Sequence, residues 1–64
     1  MQEYQKRVIA EKSELDERAQ KLSDFIGLSD DFEKIDPAEQ ERMKVQNDLM
    51  WRLSEVLGER IKSF

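Results

Sequence analysis

Cations and aromatic rings gather near the two ends of this chain. Tyr4, Lys6, Arg7 and Val8 lie at one end, and Gly58, Arg60, Lys62 and Phe64 at the other. In an antiparallel pair of helices the two ends meet. Arginine grips phosphate through two parallel hydrogen bonds. Tyrosine and phenylalanine offer faces on which a base can stack. Tyr4, Arg7, Gly58, Arg60 and Lys62 are therefore the candidate ligand residues, and a small anionic nucleotide is the ligand they suit. Each also has a structural explanation. Arg60 and Lys62 complement the negative end of a helix, Tyr4 and Phe64 suit a core, and a glycine lets a second helix approach closely.

Nothing else in the chain proposes chemistry. There is no Cys and no His, which removes the usual nucleophile, general base and zinc ligands. The five serines, Ser13, Ser23, Ser29, Ser54 and Ser63, stand in no recognisable catalytic motif. Asp30, Asp31 and Glu33 lack the central glycine of a calcium loop. No metal, cofactor or catalytic reaction is expected.

The candidate residues need two helices to bring them together. Tyr4, Val8, Leu15, Ala19, Leu22 and Ile26 recur at three- and four-residue steps and predict a helix over 2–26. Lys12 interrupts this stripe, with methylenes suited to covering it and an ammonium expected to reach water. Ile9 and Phe25 flank it. Glu3–Arg7, Glu14–Arg18 and Glu17–Lys21 are i,i+4 pairs in the favoured order, each contributing about 0.2–0.5 kcal/mol. Gly27 is expected to end the helix in a left-handed conformation, with Leu28 folding back as the hydrophobic contact.

The connector, 27–36, predicts a short helical turn behind Ser29, with Phe32 and Ile35 plugging the closed end against Phe25 and Met43. Its four acids and single Lys34 account for three of the four net negative charges. Asp36, Pro37 and Glu39 then read as N-cap, N1 and N3 of a second helix over 37–63. Its stripe is Met43, Gln46, Leu49, Met50, Leu53, Val56, Leu57, Ile61 and Phe64, with Val45 and Trp51 beside it. Gly58 inside the helix costs roughly 1 kcal/mol relative to Ala. The predicted fold is all-α: an antiparallel two-helix hairpin with a short helical turn in its connector.

A chain of 64 residues without cysteine has little core to stabilise it, and self-association is the remaining remedy. An oligomeric helical bundle is expected, with Ile9, Val45, Trp51 and Phe64 as interface residues. Trp51 has an alternative placement, lying across the edge of its own helix. The net charge of −4 argues against DNA or RNA as a partner. No apolar run approaches the ~20 residues that span a bilayer, so no membrane association is expected.

The order of motifs resembles a family of small bacteriophage proteins related to crAss-like phage genes. The resemblance rests on Gln5-Lys6-Arg7-Val8, Glu11-Lys12, Glu14-Leu15-Asp16-Glu17, Lys21-Leu22 and Phe25-Ile26 in the first half. In the second half it rests on Glu39-Gln40 with Arg42, then Gln46, Met50, Leu57-Gly58-Glu59-Arg60-Ile61 and Phe64. Leu53 departs from it, since the resemblance implies an aromatic residue there. In size, helical class and phage setting the chain is also similar to phage sponge proteins that defeat CBASS and Thoeris immunity. That likeness implies sequestration of a cyclic nucleotide immune signal, uncleaved, in the cytoplasm of an infected bacterium. The alternative is a non-catalytic helical module that binds a host or phage protein.

Overall fold

A computed structural model describes all 64 residues as two helices folded back on each other. Helix α1 spans Glu3–Leu28 and helix α2 spans Pro37–Lys62, with a 3₁₀ turn at Phe32–Lys34 between them. There is no strand, so the all-α hairpin stands as expected. The molecule is a rod of 46 × 15 × 14 Å. A 26-residue helix is about 39 Å long, so each helix runs nearly its full length.

The ends of the helices follow local chemistry. At the start of α1 the Gln2 backbone N–H donates to Gln5 Oε1 at 2.8 Å. At the start of α2 the Asp36 carboxylate accepts from the Ala38 N–H at 3.1 Å, with Pro37 behind it. Glu39 does not reach back to the cap; it pairs with Arg42 Nε at 2.8 Å. At the C-terminus the Ser63 hydroxyl donates to the carbonyls of Glu59 and Arg60 at 3.0 and 2.9 Å.

Gly27 does not end α1. No residue has positive φ, and the helix continues to Leu28, which is 81% exposed. The chain instead leaves through an extended Ser29 whose N–H donates to the Phe25 carbonyl. Phe32 provides the apolar closure. It is buried and meets Phe25 edge to face, with ring centroids 6.1 Å apart. The Ser29 hydroxyl accepts from the Asp31 N–H at 3.2 Å. Gln40 completes the bend from α2, donating through Nε2 to the carbonyls of Ile35, Phe32 and Glu33 at 2.8, 3.0 and 3.4 Å.

The contact between the helices follows a heptad spacing, with alternating steps of three and four. On α1 it runs through Gln5, Val8, Lys12, Leu15, Ala19, Leu22 and Ile26; on α2 through Gln40, Met43, Asn47, Met50, Ser54, Leu57 and Ile61. None of these fourteen is exposed. This corrects the broad α2 stripe. Leu49, Leu53 and Val56 are 58, 45 and 55% exposed, and Gln46 also faces out. Asn47 and Ser54 occupy the inner positions because partners on α1 satisfy their polar groups. Along the helix contact the buried apolar cluster is Val8, Leu15 and Leu57, with Met50 and Ile61 against them.

Candidate ligand site

Two regions of the hairpin hold the residues singled out by their chemistry. The first is the open end. Tyr4 and Phe64 meet edge to face there, ring centroids 5.9 Å apart at an interplanar angle of 80°. Both rings keep accessible surface, 55 and 39% by residue. Arg7 lies one helical turn beyond Tyr4, and Arg60 one turn before Phe64. Of eleven cationic side chains, eight form ion pairs within the chain. The three without a carboxylate partner are Arg7, Arg18 and Arg60. Glu3 pairs with Lys6 rather than Arg7, and Glu14–Arg18 does not form; of the three expected α1 pairs only Glu17–Lys21 does, at 3.4 Å. Arg7 and Arg60 thus carry guanidinium groups without ion-pair partners, within one helical turn in sequence of a partly open aromatic pair.

The second region is a groove along one side of the helix contact. It has a volume of about 590 Å³ and is lined by Lys12, Trp51, Ser54, Glu55, Gly58, Glu59 and Lys62. Its lining includes two lysines and two glutamates, of which Lys62 pairs with Glu59 at 3.9 Å. Gly58 and Lys62 belong to this groove; Tyr4, Arg7 and Arg60 are not among its lining residues. The structure therefore divides the five candidate residues between two places.

The glycine has a local reason. A Cβ at position 58 would lie 3.3 Å from Lys12 Cε, so the missing side chain makes room for Lys12. The Lys12 ammonium does not simply reach water. Its Nζ donates to Asp16 Oδ2 at 2.7 Å and to Ser54 Oγ at 3.1 Å. The Ser54 hydroxyl donates to the other Asp16 oxygen. Hydrogen bonds from Lys12 and Ser54 hold the Asp16 carboxyl below its ordinary pKa of 3.8, against the opposing effect of desolvation. An anion stabilised in this way is a poor general base, so the Ser54–Asp16 contact clasps the helices rather than activating a hydroxyl.

Trp51 also turns inward. Its Nε1 donates to Ser23 Oγ at 3.0 Å, Ser23 donates to Asn47 Oδ1 at 2.9 Å, and Asn47 Nδ2 donates to the Ala19 carbonyl at 2.9 Å. The indole is half-buried across the helix edge, and its donor is already used. Of the other expected interface residues, Ile9, Val45 and Phe64 are 38, 56 and 39% exposed. Reading each residue singly missed Asp16, Ser23, Asn47 and Ser54. The signal was present in their heptad or adjacent positions, which is where a polar side chain must find a partner across the contact.

The Sequestin family model matches residues 2–63. This chain belongs to the Sequestin family. The family name suggests a protein that binds and sequesters. No curated protein and no solved structure matches the chain. No helix of this Sequestin family member is long and apolar enough to cross a membrane.

Proposed function

We propose that this Sequestin family member sequesters a cyclic nucleotide immune signal, uncleaved, as a phage counter-defence protein in the infected host cytoplasm. The observation that carries the reading is the open end. Arg7 and Arg60, two of the three cations without ion-pair partners, stand three and four residues along the chain from the exposed Tyr4 and Phe64 rings, which meet edge to face. Guanidinium groups suit the phosphates, and the ring faces suit a base. A ring-closed nucleotide presents both at short spacing. Such a site holds its ligand by charge and stacking and has no group placed to attack it.

The test is a thermal shift with cyclic di- and trinucleotides and cyclic ADP-ribose isomers, since a ligand that binds only the folded form raises stability. A micromolar binder is expected within this panel, released intact on heating. Arg7→Ala and Arg60→Ala should each weaken it at least tenfold. Lys62→Ala, in the groove, should change it little. If no compound shifts the transition, the nucleotide reading fails; turnover of any of them would make the protein an enzyme instead.

A further inference from the structure

The hairpin leaves a second face of α2 uncovered. Val45, Leu49, Leu53 and Val56 are 56, 58, 45 and 55% exposed. Steps of three and four residues align them on one side of the helix, about a third of a turn from the face that meets α1. Part of this side is a groove of about 430 Å³, lined by Arg42, Val45, Gln46, Leu49, Met50 and Leu53, with no acidic residue.

The spacing on this face is nearly symmetric. Leu49 and Leu53 each stand two residues from position 51. Val45 and Val56 stand six and five residues from it, and Arg42 and Arg60 nine residues each. A two-fold axis crossing α2 near position 51 would therefore set Leu49 against Leu53 of a second copy, and Val45 against its Val56. A self-complementary patch is what an isologous dimer requires.

Charge favours the antiparallel arrangement. The bend carries Asp30, Asp31, Glu33 and Asp36 against Lys34. The open end carries Lys6, Arg7, Arg60 and Lys62 against Glu3 and Glu59. Antiparallel copies bring the acidic bend of each beside the basic open end of the other, whereas parallel copies crowd the two bends together. We propose that two copies of this chain pack α2 against α2 along the Val45–Leu49–Leu53–Val56 face, antiparallel, as a four-helix dimer. The ligand reading is not needed for this proposal.

The chain has no cysteine, so two single substitutions test the geometry directly. With the axis at position 51, residue 45 lies about 18 Å from its own copy along the helix, and residue 56 about 15 Å. Both exceed the roughly 7 Å limit for a disulfide between Cα positions. Val45→Cys (V45C) and Val56→Cys (V56C) are on exposed sites and should retain the helical circular dichroism spectrum. Under mild oxidation the mixed proteins should form a V45C–V56C heterodimer, and neither should cross-link to itself. Sedimentation equilibrium of the unsubstituted protein should give a dimer, weakened by salt, with Leu49→Glu shifting it to monomer. A V45C self-cross-link would show a parallel pair and overturn the proposal. A monomer at tens of micromolar would assign the face to a different partner and overturn it equally.

Discussion

Asp16 sits where the two helices are tied by charge. Its carboxyl accepts from Lys12 on its own helix and from Ser54 on the other. The folded pKa is depressed below the ordinary 3.8, so its contribution to stability is present above that value. It is lost as pH falls through the lower, folded pKa. Asp16→Asn keeps the shape and removes the charge. The variant should be less stable at neutral pH by about 1 kcal/mol, and should lose part of the wild-type stability drop between pH 4 and pH 2. Urea titrations of both proteins across that range would measure this. Parallel acid profiles for the two would show that Asp16 contributes nothing to the fold. The same residue scale explains Gly58: its helix-propensity penalty is accepted because Lys12 crosses to Ser54 against the bare backbone.

At the scale of elements, one amide ties the bend to α2. Gln40, in the first turns of α2, satisfies the carbonyls of Phe32, Glu33 and Ile35. The Phe32 carbonyl also accepts from the Ile35 N–H at 3.1 Å within the turn, so Gln40 gives it a second donor. Phe32 beneath them is buried, with Lys44 Nζ 6.0 Å from its ring centre. Gln40→Ala should cost about 1–2 kcal/mol and raise amide exchange in residues 29–36, leaving the middle of α1 and α2 protected. Uniform exchange across the hairpin would show the bend is not a separate unit. The capping residues Asp36 and Pro37 were legible in the sequence because they act on adjacent backbone. The Gln40 contacts were not, since they depend on how the connector folds back over the start of α2.

The whole molecule is a two-helix rod with only six of 64 residues buried. A core of this size supports little stability alone, and the uncovered α2 face lies ready to extend it. If the dimer forms, folding and association are linked. Tenfold dilution then lowers association free energy by about 1.4 kcal/mol, and the melting temperature should fall by several degrees, since about 1 kcal/mol moves a domain of this size by about 4–8 °C. Scanning calorimetry from 10 to 500 micromolar would measure it, with Leu49→Glu expected to be independent of concentration.

The sequence by itself determined the number of helices, the cap at Asp36 and the acidic bend. All of these rest on local chemistry or on the order of residues along the chain. The tertiary structure decided which face of each helix is inside. Two apolar faces compete on α2, and periodicity sums them into one broad stripe. Only the hydrogen bonds that Asn47, Trp51 and Ser54 make to α1 settle which face turns inward. It also decided which cations are free, because Arg7 and Arg18 look paired with Glu3 and Glu14 along the chain and lose those partners only when side chains take their places in space.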